Sequence, residues 1–397
     1  MKPTDHSNKK LYLSFALGAL VQASTYVYYV LMPILVLGLN AQPQEIKLTV
    51  TVFFLGFVIS LLCSGPFLGR LGEKNAFIAG SSIFLIGTMI CFFSSTVHTI
   101  MCGRFIQGLA LGLFKILAKS VIASSIERTK NFAVYQTICS ITPPVAMLIT
   151  SFILFFFPWQ AAFIFLLIIS IFIFWLGLYG AVANQSPSTE PEGFIVHFKI
   201  YWILLKDKRF QPLIVSYGLV YAIMGPFYVT STYTLTHILH YPVRVIGLIT
   251  ALFTAASMVG AYASILVEKT KFEDHILAVG FSLALLGVLG LYICALLFPP
   301  SIISLVVPLL FYCFGKNLFY AKLNVLFMNN FESNSRDVTL SAMAICIALT
   351  TSISTLFTSF HGHETFAQTA RLMLIMVILS IGFYKLFCVR AQSGVEA

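Results

Sequence analysis

Twelve apolar runs of about 20 residues or more follow one another along the chain, at roughly 11–37, 46–69, 76–95, 100–126, 131–156, 160–183, 211–238, 245–266, 275–297, 302–328, 338–360 and 367–388. Each is long enough to cross a hydrocarbon core about 30 Å thick as a helix. Within that core every backbone N–H and C=O must be satisfied inside the protein, which leaves helices as the solution for runs of this length. An all-α integral membrane protein with twelve transmembrane helices is therefore expected.

Composition agrees. Of 397 residues, 59% are hydrophobic and 10% charged, with a mean hydropathy of +0.93. No water-soluble domain of this size carries such a surface. The formal net charge of +10 raises the question of nucleic acid, but the basic residues are scattered without a clustered basic module, so no nucleic-acid partner is expected. The lipid bilayer is the partner that composition dictates.

Loop charges set the orientation. With the N-terminus inside, the loops on that side hold Arg70, Lys74, Arg128, Lys130, Lys199, Lys206, Lys208, Arg209, Lys269, Lys271, Arg336, Lys385 and Arg390, whereas the opposite side offers Lys47, Arg244 and Arg371 near span ends. The positive-inside rule then places both termini in the cytoplasm of a cell inner (plasma) membrane. The run from Leu11, behind Lys9 and Lys10, is too long for a signal-peptide core and reads as the first span. The longest loop contains Pro187, Pro191 and Gly193 and ends in Lys206-Asp207-Lys208-Arg209. It is a linker with an interfacial amphipathic stretch, and it divides the chain into an N-terminal six-helix half, 1–183, a cytoplasmic linker, 184–210, and a C-terminal six-helix half, 211–397.

Eight cysteines all lie in apolar segments without a CxxC pair, so free packed thiols are expected. The acids are more informative. Asp5, Glu45, Glu73, Glu127, Glu190, Glu192, Asp207, Glu268, Glu273, Asp274, Glu332, Asp337, Glu364 and Glu396 all avoid the middle of a span. A proton-coupled transporter generally relies on a buried carboxylate, and none is at hand. Five cations remain inside: Arg104, Lys115 and Lys119 in span 4, Lys316 and Lys322 in span 10. At about 100° per residue Arg104, Gly108, Leu111 and Lys115 share one stripe, the two charges about 16 Å apart along the axis. An isolated cation at mid-bilayer costs on the order of 3 kcal/mol, so these residues are site candidates that should face water, carbonyls or a negatively charged cargo. Lys119 and Lys322 sit near enough to the inner face to snorkel.

Polar and aromatic residues supply candidate cavity walls. Span 1 offers Gln22, Ser24, Thr25, Tyr26, Tyr28 and Tyr29 near its middle; span 7 offers Tyr217, Tyr221, Tyr228 and Tyr233, and span 10 Asn317 and Tyr320. Core packing explains the latter group equally well. Pro143-Pro144 in span 5 and Gly225-Pro226 in span 7 interrupt helices and are hinge candidates. His237, His240, His361 and His363 cluster by topology at outer span ends, where solvation is the ordinary role and a metal rim the exception.

Two halves of six spans around a central loop is the layout of the major facilitator superfamily. Gly65-Pro66-Phe67-Leu68-Gly69-Arg70-Leu71-Gly72-Glu73-Lys74 resembles its loop motif between spans 2 and 3, and Arg104-Phe105-Ile106-Gln107-Gly108 resembles its span 4 motif. Tyr28, Pro33, the Trp159 to Phe163 entry to span 6 and Gly225-Pro226-Phe227 give the chain a resemblance to the Bcr/CflA drug-resistance group. The resemblance implies two pseudo-symmetric six-helix halves and export of small organic compounds. It assigns Gly65, Arg70, Gly72, Lys74, Gly108, Pro143 and Pro226 to gating motifs, and Arg104 and Gln107 to the span 4 motif.

Departures from that pattern bear on mechanism. Gly69 stands where the motif has an acid and Glu73 where it has a base; the span 5 motif survives as Thr142-Pro143-Pro144 with Thr150 and Ser151 in place of glycines; and Tyr26 stands where a span 1 carboxylate is usual. The expected function is a secondary transporter, exporting more readily than importing, monomeric, without cofactor or metal, and with protons as a candidate coupling ion. The surplus of buried cations favours an anionic or carboxylated cargo such as a carboxylate metabolite or siderophore, bound by Arg104, Lys115, Gln107, Tyr26, Tyr28, Gln22, Lys316, Asn317 and Tyr221. The competing readings are a proton-antiporting multidrug exporter of cationic or neutral drugs and a non-transporting receptor on the same fold. An enzyme is not expected, because no P-loop, metal-ligand spacing or nucleophile elbow occurs.

Overall fold

A computed structural model describes residues 5–123, 125, 128–178, 206, 208, 210–235, 239–242, 244–267, 275–299, 301–330, 336–360 and 366–393. The linker candidate 184–210 lies outside them apart from 206, 208 and 210, as do His237, His361 and His363. The chain divides into two compact units, Met1–Lys199 and Ile200–Ala397, and among the described residues the regular elements are helices.

Unit 1 contains α1 (Asp5–Gly38), α2 (Pro43–Phe92), α3 (Val97–Ala123), α4 (Arg128–Phe156) and α5 (Gln160–Leu176). Unit 2 contains α6 (Phe210–Ala222), α7 (Met224–Tyr233), α8 (Arg244–Val267), α9 (Ile276–Leu297), α10 (Ile302–Asn330), α11 (Arg336–Phe360) and α12 (Phe366–Ser393). Eleven of the helical stretches are long and apolar enough to cross a membrane, and Gln160–Leu176 is a shorter apolar helix. Their outward faces are oily: Phe152 in α4, Ile168 in α5 and Leu248 in α8 are more than half exposed, as suits side chains whose solvent is lipid.

The elements depart from the expected spans in three places. Spans 2 and 3 run together as α2, and the loop anticipated at 70–75 shrinks to a kink at Gly72, whose φ of 72° and ψ of 167° no other residue type adopts comfortably. Span 6 is α-helical over Gln160–Leu176 and continues through Gly177 and Leu178 as a π turn, and its expected positions 179–183 lie outside the described residues. Span 7 divides into α6 and α7 at Ile223, just before Gly225-Pro226. Proline at 226 has no N–H for the Ala222 carbonyl, so a continuous helix cannot close there.

Small residues let the helices of unit 1 approach closely. A Cβ at Gly108 of α3 would press into the Phe53 carbonyl of α2 and come within 2.9 Å of the Phe57 nitrogen. Such backbone-to-backbone contact is the usual membrane packing device, since apolar side chains gain nothing over lipid by burial alone. Unit 2 repeats it between α9 and α10, where a Cβ at Gly315 would stand 2.7 Å from the Ala284 nitrogen. There Phe281 stacks on Phe319 with centroids 4.2 Å apart.

Candidate functional site

The seam at Gly108 carries Arg104, one turn earlier on α3, into the interior of unit 1 against α1 and α2. Arg104 is 1% exposed. Its guanidinium lies between two rings, with Cζ 4.2 Å from the Tyr28 centroid and 4.0 Å from that of Phe53. Nη1 donates to Gln107 Oε1 at 2.8 Å and to the Ser24 carbonyl at 3.4 Å. Gln107 Nε2 donates onward to Thr88 Oγ1 at 2.9 Å, and Thr88 to the Phe84 carbonyl at 2.8 Å. The Tyr28 and Thr49 hydroxyls share a hydrogen bond, and Thr49 donates to the Ile46 carbonyl at 2.6 Å. A desolvated cation over an aromatic face is worth about 2 kcal/mol. Two rings and two acceptors thus hold the charge in a core that contains no span 1 carboxylate. Arg104 Nε and Ser24 Oγ remain buried without a hydrogen-bond partner.

A second polar cluster forms further along α3. Pro143 in α4 has no N–H to offer the Cys139 carbonyl one turn before it. Gln22 of α1 fills that vacancy, its Nε2 donating to Cys139 O at 3.1 Å. Lys115 and Lys119 lie within electrostatic reach of Cys139, and the half-buried Lys115 sets its Nζ 5.3 Å from the Phe57 centroid. Gln22, Lys115 and Pro143 therefore meet in one place, whereas Arg104, Gln107 and Tyr28 belong to the other. Tyr26 is half-buried and packs edge-on against Tyr29 with centroids 5.6 Å apart.

The loop-motif residues lie around the kink of α2. Gly65 is within the helix, Arg70 is exposed, Gly72 is the pivot and Lys74 is half-buried. Glu73, the residue that departs from the motif, points to α1, where Lys10 Nζ is 3.1 Å from its Oε2.

Unit 2 gathers Tyr221 of α6 with Lys316 and Tyr312 of α10. Lys316 Nζ stands 5.6 Å from the Tyr221 centroid and 5.9 Å from that of Tyr312. Tyr312 is anchored by a 2.7 Å hydrogen bond from its hydroxyl to the Val220 carbonyl, next to the break between α6 and α7. Asn317 turns back on its own helix, donating to the Cys313 carbonyl at 3.0 Å. Pro226 is buried in α7, and Tyr217 and Tyr228 are buried nearby in sequence. The side chains of Tyr233, Tyr320 and Lys322 lie outside those described. His240 is exposed, with a φ of 54°. All eight cysteines are free, and no cluster of metal-ligating residues occurs among the described residues.

Phe53, Thr88 and Phe57 were not singled out in the sequence, since nothing local connects phenylalanines of span 2 to an arginine of span 4. Tyr312 is likewise absent from the sequence-based candidates, although a signal for it exists: it precedes Lys316 by four residues, the spacing that places two side chains on one helix face.

The major facilitator superfamily model matches residues 14–355. Multidrug resistance protein MdtL of Shigella flexneri serotype 5b (strain 8401) is 27% identical over 199 residues, covering 47% of this chain and 51% of the relative. MdtL of Escherichia coli (strain K12 / DH10B) matches to the same extent. The alignment with these curated relatives spans about half of their length. Among solved structures, a bacterial homolog of the human lysosomal transporter Spinster, inward-facing and unoccupied, superposes with a TM-score of 0.74 at 12% identity, covering 98% of each chain. The partially occluded inward-open xylose transporter XylE of E. coli gives 0.73 at 12% identity, covering 96% of this chain and 98% of that one. At such identities the structures speak for the fold alone. The helix pattern, the Arg104-to-Gly108 motif packed against α2 and a family match over most of the length agree, and the chain belongs to the major facilitator superfamily.

Proposed function

We propose that the protein is a secondary transporter that exports small neutral or cationic organic compounds by alternating access. It works as a monomer in the cell inner membrane with both termini in the cytoplasm. The observation that carries this reading is the state of Arg104. Its charge, the chief reason to expect an anionic cargo, is taken up by Tyr28, Phe53, Gln107 and Ser24 inside unit 1. A guanidinium so occupied does not call for a cargo carboxylate. The relatives called multidrug resistance proteins support the same direction.

Anionic cargo stands as the second reading, favoured by one specific feature: Lys115 and Lys316 make no ion pair with an acid among the described residues. Flux measurements in proteoliposomes separate the two. Saturable export of a cationic dye, with no saturable flux of radiolabelled organic anions, is the expected result. Anion flux that disappears in Arg104→Ala, without dye flux, would overturn it, and silence across a broad panel would point to a receptor.

A further inference from the structure

Lys316 is the charged group of unit 2 that the transport reading leaves without a task. Its ammonium rests on the rings of Tyr221 and Tyr312 at 5.6 and 5.9 Å, a pair of electron-rich faces of the kind that recognises organic ammonium ions. Tyr312 is fully buried and fixed by its bond to the Val220 carbonyl, so its face is preset. Tyr221 is half-buried. The groups around the ammonium are neutral: Cys313 and Tyr312 on α10, Tyr221 on α6, Tyr228 of α7 within electrostatic reach of Tyr312, and Ser257 of α8 hydrogen-bonded to the Cys313 thiol. No acid occurs in the sequences of α6, α8 or α9.

We propose that the Tyr221–Tyr312 pair is a binding site for the cationic head of a cargo, kept filled by the Lys316 ammonium until that lysine gives up its proton. This rests on the export reading above and names the chemistry of its cargo. Two cations cannot share the same pair of faces, because like charges a few ångströms apart in a poorly hydrated interior repel strongly. Cargo entry therefore requires Lys316 to pass one proton to water and become a neutral amine. Cargo departure lets the amine take one proton back and return to the rings. One proton is exchanged for one cation, so a chain whose acids all avoid the middle of its spans still has a means of antiport. Lysine suits this task better than arginine, whose proton cannot be removed at any working pH.

The full-length protein in proteoliposomes tests this with tetraphenylphosphonium, a cation that has no proton of its own to exchange. In the unaltered protein its apparent affinity should rise about tenfold per pH unit as long as Lys316 is the competing cation. Lys316→Met should bind it more tightly and with no pH dependence, and Lys316→Arg should bind it weakly at every pH. In the Lys316→Met background, Tyr221→Leu should weaken binding about tenfold while Tyr221→Phe retains it, which distinguishes a ring site from a general loss of folding. Counterflow that persists with a flat pH profile in the unaltered protein, or Lys316→Met binding no tighter than wild type, overturns the proposal and leaves the export reading intact. Saturable counterflow of an organic anion with none of tetraphenylphosphonium in any variant overturns both.

Discussion

Unit 1 clamps a fully buried guanidinium at the centre of its helix packing, whereas unit 2 keeps its cation, Lys316, only half-buried against two tyrosine rings and ties its helices with neutral hydroxyl pairs. In unit 1, Arg104 is clamped by rings from α1 and α2 and by the Gln107–Thr88 relay. In unit 2, Ser216 of α6 meets Ser380 of α12 at 2.9 Å, and Thr230 of α7 meets Thr369 of α12 at 2.9 Å. Both units use a glycine seam next to their central helix, at Gly108 in α3 and at Gly315 in α10. The backbone scaffolds are thus alike while the polar chemistry they position differs. A buried charge is costly to orphan and a hydroxyl pair is not, so the first unit should respond more sharply to substitution.

The largest effect is expected at Arg104. Arg104→Ala removes the filling between Tyr28 and Phe53 and leaves Gln107 half-paired, so about 3 kcal/mol or more should be lost, read as a fall in thermal midpoint of the detergent-purified protein. A loss no greater than that of a hydroxyl deletion in unit 2 would break the contrast between the units. Next come the seams. Gly108→Leu and Gly315→Leu should each cost about 2 to 3 kcal/mol by overpacking, and by similar amounts. A marked inequality would show that the scaffolds are less alike than their backbones suggest.

The vacancy left by Pro143 offers a smaller and sharper test. Gln22→Leu should cost about 1 to 2 kcal/mol by stranding the Cys139 carbonyl. Restoring an N–H with Pro143→Ala should recover most of it, and a double-mutant cycle measures the coupling. Additive behaviour would mean that Gln22 serves something other than that carbonyl. Ser380→Ala in unit 2 should cost the least, about 1 kcal/mol, because the bonds it removes, to the Ser216 hydroxyl and carbonyl, join neutral groups only.

Much of the fold was legible in the chain. Apolar runs of membrane length announced the helices, and Pro226 announced a break in span 7, whereas α4 runs unbroken through Pro143-Pro144, where an interruption was equally expected. Nothing in the sequence distinguishes the kink at Gly72 from a loop, since a single residue of positive φ leaves no compositional trace. At the site, Arg104 and Gln107 were legible as a pair three residues apart on a helix, whereas Tyr312 is not among the sequence-based candidates despite its spacing of four from Lys316.

The sequence by itself determined that this chain spans a membrane, that the middles of its spans carry cations and no acids, and that it resembles a transporter family, because length, hydropathy and charge are properties of the chain. What each cation touches was decided by tertiary structure alone. Phe53 stands 51 residues before Arg104, and Gln22 stands 117 residues before the carbonyl it serves. Such partners meet only when glycine seams bring helices to backbone contact, and that meeting sets the Arg104 guanidinium between Tyr28 and Phe53 with Gln107 and Ser24 as its acceptors.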